Sequence, residues 1–178
     1  MRPARAMRRC PDRRCLMLLP ILRWPDPRLS VRCDPAVLDD GLRALAADML
    51  ETMYAAPGRG LAAPQVGHLL RLFVMDATWK EGTPAPQVFV NPEIVDLLGD
   101  PVVGPEGCLS IPGPVTQVAR APSVRMRWSD LDGQAQDQVL TGFAAICVQH
   151  EYDHLDGILT LDHLSVEARA KAEAEVLA

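Results

Sequence analysis

The sequence predicts an α+β domain in which short, mostly antiparallel sheets pack around a central helix. Three observations predict it. Leu38, Leu42, Leu45, Met49 and Met53 recur at intervals of three and four, the period of an amphipathic helix. Short apolar or alternating runs, Arg71 to Met75, Val88 to Val90 and Val124 to Trp128, have strand length and strand composition. Phe143 to Val148 is an apolar run that leads into a polar segment with helical spacing, and a helix apolar nearly all round is a buried one.

Composition sets the frame for these elements. A chain of 178 residues fits one domain, its 48% hydrophobic fraction is ample for a core, and its 23% charged fraction is ordinary. Aromatics are only 4%, so Leu, Val, Ile and Ala must fill the interior. Sixteen Pro argue for many turns. Five scattered Cys make no disulfide framework, and Cys33 and Cys147 are expected to be free and partly buried. No apolar run is long enough to span a bilayer. A reducing cytoplasm is therefore expected, with no membrane and no DNA partner.

From the N-terminus, residues 1 to 16 hold six Arg and one acid, Asp12. Without them the chain has 12 basic and 22 acidic residues, a net of −10 against −5 for the whole. The head reads as a basic, disordered extension or as a mis-annotated start with Met17 as the true first residue, and residues 17–178 as a single domain. A transit peptide and an arm touching ribosomal RNA are the other readings. The Leu and Met periodicity makes Asp34 to Tyr54 a helix, with Asp34 as cap and Pro35 in its first turn. The Gly58–Gly60 segment, followed by Leu61-Ala62-Ala63, lacks the third Gly of a dinucleotide loop and the Gly-Lys-Ser/Thr of a phosphate loop. Its small residues suit an extended substrate backbone pairing with the loop. After the two strands comes Pro105 to Pro112, where Gly107 permits close backbone approach or unusual dihedrals beside Cys108. Val124 to Trp128 and Val139-Leu140, joined by the Leu131 to Gln134 turn, form a hairpin. A helix over residues 142–155 ends near Gly157, and Val166 to Val176 forms a last short helix.

The chemistry begins in His150-Glu151-Tyr152-Asp153-His154. On a helix, residues four apart share a face, so both imidazoles can hold one divalent metal while Glu151 reaches a water beside it. Such a Glu can take a proton from water and pass it to a leaving amine. A catalytic metal needs a third ligand. Cys108 competes for that place with His68 and His163, and a small buried thiol with no ligand role fits its position equally well.

Three segments taken together resemble the peptide deformylase family: Gly58-Arg59-Gly60-Leu61-Ala62-Ala63-Pro64-Gln65, Glu106-Gly107-Cys108-Leu109-Ser110, and Gln149 to Gly157 around the two His. They stand in the family's order, and the similarity runs from about Leu18 to Leu164. The resemblance implies a deformylase-like fold around a metal-binding helix. It also implies removal of the N-formyl group from the initiator methionine of nascent chains. By the same resemblance Cys108, His150 and His154 hold the metal, Glu151 is base and acid, and Gln65 with the Leu109 N–H stabilises the oxyanion. Gly60 would pair with the substrate backbone. Phe143, Ile146 and Cys147, two turns and one turn before His150, would line the methionine pocket. Ferrous iron is the family's usual metal, with zinc or nickel as substitutes, and Cys with two His suits zinc equally. An iron–thiolate site would be oxygen-sensitive. The implied partners are the formyl-methionyl peptide and the ribosome exit region, with the protein a monomer.

The chain departs from the pattern around the substrate. Arg59 replaces an aliphatic residue, Gly104 a bulky one, and Val115 an Arg found in some members. Arg59 is expected to be a solvated loop charge, or else a contact to the peptide or its carboxylate. Two other functions compete: a metallopeptidase of the His-Glu-x-x-His type, and a divergent paralogue that binds peptides or the ribosome without turnover.

Overall fold

The computed structural model describes residues 16–177, so the basic head, apart from Leu16, lies outside the described residues. The described residues form three α-helices, α1 (Asp40–Ala55), α2 (Gly142–Leu155) and α3 (Val166–Val176). Seven strands accompany them: β1 (Gly60–Ala62), β2 (Leu72–Met75), β3 (Gln87–Leu98), β4 (Val102–Cys108), β5 (Ile111–Arg120), β6 (Ser123–Ser129) and β7 (Ala135–Thr141). Five form an antiparallel sheet in the order β1-β2-β3-β6-β7, and β4 with β5 forms a separate hairpin. The expected α+β class is what is found.

Strand β2 shows how the layers stack. All four of its residues are buried, because both faces of the sheet are covered there. Phe73 and Met75 join Phe89, Val124, Met126 and Trp128 against Ala145, Val148 and Leu155 of α2. Leu72 and Val74 point the other way, into Leu42, Ala46, Met49 and Met53 of α1. The period-2 strand thus feeds two cores, each closed by a helix of period 3.6. Leu19 and Ile21 pack into the α1 core, and the Leu19 N–H donates to Thr52 Oγ1 at 2.9 Å. A third cluster, Leu29, Cys108, Ile111, Leu159, Leu161 and Ala172, fastens α3 to β5.

Helix α1 starts six residues later than its periodicity suggests. Asp34 does not cap it. Its N–H and carbonyl pair with Leu69 and Arg71, and Ala36 is clamped by the Asn91 side chain at 2.7 and 2.9 Å. Those partners hold 34–36 extended, so the helix begins after Asp39, whose Oδ1 accepts from the Leu42 N–H at 2.7 Å. Strand β3 is far longer than Val88 to Val90 and carries irregularities after Val90 and after Ile94, with Asn91 at φ 49°. The predicted hairpin and the two later helices fall where expected, and Asp130 ties the hairpin turn by accepting from the Asp132 and Gln134 N–H groups at 2.9 Å. Cys33 and Cys147 are free, and both are buried, with Cys147 reaching the wall of a cleft. Among the described residues, no helix is long and apolar enough to cross a membrane.

Candidate metal centre

Helix α2 lies between the five-stranded sheet and the β4–β5 hairpin, and its last two turns meet the end of β4. His150 and His154 project from one face with ring centroids 4.9 Å apart. Cys108 arrives from the tight β4–β5 connection, where it pairs with Ile111. Its Sγ lies 3.3 Å from His154 Nε2, and the three donor atoms lie within 4.8 Å of one another. This is the third donor: His68 and His163 do not join the cluster.

Electrostatics favour a cation in this cluster. Burial, together with the positive charges of His150 and Arg120, holds His154 well below the ordinary histidine pKa, so it is neutral and able to ligate. Burial opposes a charge on His150 too, yet its hydrogen bonds to Cys108 and Glu106 push its pKa well above the usual value. A proton there supplies the positive charge that the Glu106 carboxylate calls for. A divalent ion answers the same demand, and a thiol with two imidazoles is a donor set that binds such ions.

Behind the cluster runs a buried charge network. Glu106 Oε2 lies 3.0 Å from His150 Nδ1, which leaves Nε2 to face the cluster. Arg120 donates to both Glu106 oxygens, at 2.8 and 3.1 Å, and to Asp153 Oδ2 at 2.6 Å. Asp153 also meets His163 Nε2 at 2.8 Å. Burial alone would raise the Glu106 carboxyl, but the hydrogen bonds from His150 and Arg120 outweigh it and hold it at about 2. Sequence reasoning quoted Glu106 only as part of a motif and missed Arg120 altogether. An acid two residues before the thiol was the available signal for the first. Nothing in the sequence marks the second.

Glu151 is buried beside the cluster, and its Oε2 has no hydrogen-bond partner among the described residues. Burial pushes its carboxyl up to about 7, with His150 opposing and Glu106 adding to the shift. The start of β1 approaches it so closely that a Cβ on Gly60 would stand 2.2 Å from Glu151 Oε1. Gln65 is buried. Its Oε1 accepts from the Ala62 N–H at 2.8 Å, and this fixes the amide so that Nε2 faces Ser110 Oγ at 3.1 Å and Cys108 Sγ at 3.6 Å. The Leu109 carbonyl is held by the Arg23 guanidinium.

These groups share one cleft of about 420 Å³, lined by Arg59, Gly60, Gln65, Cys108, Leu109, Phe143, Ile146, Cys147, His150 and Glu151 among others. Every site residue expected from sequence borders it except His154, which sits beneath. Two expectations need correction. Arg59 is not a solvated loop charge. Its side chain is only 22% exposed, pairs with Glu81, and lies 4.8 Å from the Phe143 ring centroid. Gly107 is not needed for close packing within the protein, since a Cβ there would meet nothing within 4 Å.

Residues 18–170 match the family model described as polypeptide deformylase. The chain is 52% identical over 151 residues to a peptide deformylase of Alkalilimnicola ehrlichii, covering 84% of each chain. It is 50% identical over 146 residues to one of Afipia carboxidovorans, covering 82% of this chain and 85% of the other. Among solved structures, a peptide deformylase of Ehrlichia chaffeensis in complex with actinonin superposes with a TM-score of 0.85 at 38% identity, covering 90% of this chain and 96% of that one.

Proposed function

The chain belongs to the polypeptide deformylase family, and we propose that this cleft is where it hydrolyses the N-formyl group from the formyl-methionine that begins nascent polypeptides, releasing formate. One observation carries the assignment: a three-donor cluster shares a cleft with a buried carboxyl whose Oε2 has no hydrogen-bond partner among the described residues. Cys108, His150 and His154 would hold a divalent ion, ferrous by family resemblance, with zinc or nickel also suited to these donors. Such an ion supplies Lewis acidity, polarising a carbonyl and making water more acidic.

The chain's own residues do the rest. Strand β1 is the edge of its sheet and β4 borders the other side of the cleft, so an extended peptide can pair with the main chain near Gly60 and Gly107. The methionine side chain packs against Phe143, Ile146 and Cys147. Glu151 takes a proton from the attacking water as its oxygen bonds to the formyl carbon. The oxyanion accepts hydrogen bonds from Gln65 Nε2 and the Leu109 N–H, neutral donors held in place before the reaction starts. Glu151 then gives the proton to the nitrogen as the C–N bond breaks, leaving formic acid and a free amine, and the acid's own proton passes to the amine so that they part as formate and ammonium. A carboxyl that titrates near neutrality suits both transfers. Glu106 keeps His150 in the ligating tautomer. The substrate places the reaction in a bacterial-type cytoplasm.

Formate release from formyl-Met-Ala-Ser, with metal content measured on the same anaerobic sample, tests this. The Glu151→Ala variant should keep its metal and lose about 10²- to 10⁴-fold in kcat. A near-normal rate in that variant refutes the mechanism. A metal-loaded wild type that releases no formate refutes the activity and favours a peptide-binding role.

A further inference from the structure

Arg59 occupies the rim of the cleft in a conformation fixed on every side. Its Nη1 donates to the Ala77 carbonyl and to Glu81 Oε2 at 2.8 Å, and its Nη2 donates to Glu81 Oε1 at 2.5 Å. The guanidinium plane covers the exposed ring of Phe143. The hydrogen bond from Arg59 in turn pulls the Glu81 carboxyl below its usual range.

The segment that holds Arg59 is itself anchored. Asp76 is fully buried, and its carboxylate accepts from Tyr54 Oη at 2.7 Å and from the N–H groups of Thr78, Trp79 and Ala85 at 3.0 to 3.1 Å. From this pinned strap, Trp79 Nε1 donates to the Gly58 carbonyl at 2.8 Å and Lys80 Nζ to the Pro57 carbonyl at 2.5 Å. The strap thus grips the main chain on one side of Arg59 and its side chain on the other.

Resting on the deformylase reading, we propose that Arg59 is a specificity-determining residue: with Glu81 as its anchor, it forms the wall that limits the width of the pocket for the first side chain of the substrate. The geometry points to a composite wall. An aliphatic side chain at this position would form a wall by itself. A long guanidinium does so only while its partners hold it, and Glu81, which takes two of its three hydrogen bonds, is the main anchor, because a free Arg samples many rotamers and turns its head to water. The pocket is therefore narrow enough to favour the unbranched methionine side chain when the pair is formed, and it admits bulky aromatic side chains when the pair is broken.

The test compares formyl-Met-Ala-Ser with formyl-Phe-Ala-Ser. In Arg59→Ala and in Glu81→Ala, the ratio of kcat/KM for Met over Phe should fall about tenfold, through KM rather than kcat. Arg59→Ile should restore the ratio, and adding Glu81→Ala to Arg59→Ile should then change nothing. Arg59→Lys should not restore it, since an ammonium neither bridges the carboxylate in two places nor covers the ring. A ratio within twofold of wild type in Arg59→Ala overturns the proposal. So does a Glu81→Ala effect of equal size in the Arg59→Ile background, which would mark Glu81 as structural support alone. Calorimetric binding of the same two formyl peptides to Glu151→Ala, with and without Arg59→Ala, reads the selectivity without turnover. Unchanged relative affinities there overturn the gate even if formate release fails, whereas loss of formate release with intact gating overturns only the reaction.

Discussion

On the metal side of the cleft, His150 is backed by Glu106, Glu106 by Arg120, and Arg120 by Asp153, with Glu106 and Arg120 both buried. On the opposite side, Arg59 is backed by Glu81, whose side chain is 60% exposed. Both arrangements are a cation bridged to a carboxylate at about 3 Å, yet they respond differently to change. Removing one partner of a buried pair strands the other charge away from water and costs roughly 3–5 kcal/mol. Removing one partner of an exposed pair leaves a group that water solvates, so little stability is lost. The metal side is consequently fixed by its surroundings, and the rim is a place where a substitution alters selectivity without unfolding the site.

Gly60→Ala is the most severe way to test how fixed the reacting groups are. The new methyl group would fall 2.2 Å from Glu151 Oε1 and 2.9 Å from Cys147 Sγ, so Glu151 must move. A displacement of about an ångström costs on the order of 10²-fold in rate, and kcat/KM for formyl-Met-Ala-Ser should fall by at least that much while the metal stays bound. Retained activity would mean that the start of β1 or the Glu151 side chain yields, and that the reacting carboxyl is held no more firmly than the rim.

Glu106→Gln probes the buried network directly. The amide no longer balances Arg120 or fixes the His150 tautomer, so metal affinity should drop about 10- to 100-fold in a chelator competition. The matching change at the rim, Glu81→Gln, should leave metal affinity unaltered. Equal effects in the two variants would erase the distinction between the sides.

The sequence disclosed these two sides unequally. His150, Glu151 and His154 were readable because one helical turn places them together whatever the rest of the chain does. Cys108 and Gln65 required three motifs read jointly, since only the fold brings β4 and the segment after β1 to α2. Strands β4 and β5 escaped notice for a physical reason. The inward positions of β5 include Thr116 and Arg120 as well as Val118, because the face they line is a charge network and not a greasy core. Hydrophobic alternation has nothing to register there. Arg120 and Asp153, 33 residues apart, are joined only by tertiary structure. The helix start at Asp34 misled because capping chemistry was present, but the backbone there was already engaged by Leu69 and Arg71. Arg59 misled in the opposite sense: a charge in a loop reads as solvated until Glu81, 22 residues on, comes to meet it.

Gly104→Val is the gentlest probe and bears on whether selectivity resides at one wall alone. Gly104 lies in β4 opposite Val118, next to Pro105, which lines the cleft. A Cβ at this position would meet nothing within 4 Å, and its backbone is not in the left-handed region. Glycine in a strand forgoes cross-strand packing and costs chain entropy, so valine should stabilise the protein by about 0.5 kcal/mol. Thermal unfolding would register that gain, while kcat/KM for formyl-Met-Ala-Ser should stay within twofold. A several-fold rise in KM would show instead that the open space at Gly104 is occupied by substrate. The first side chain would then be gripped from both sides, and the exposed pair at Arg59 would be only half of the device that selects it.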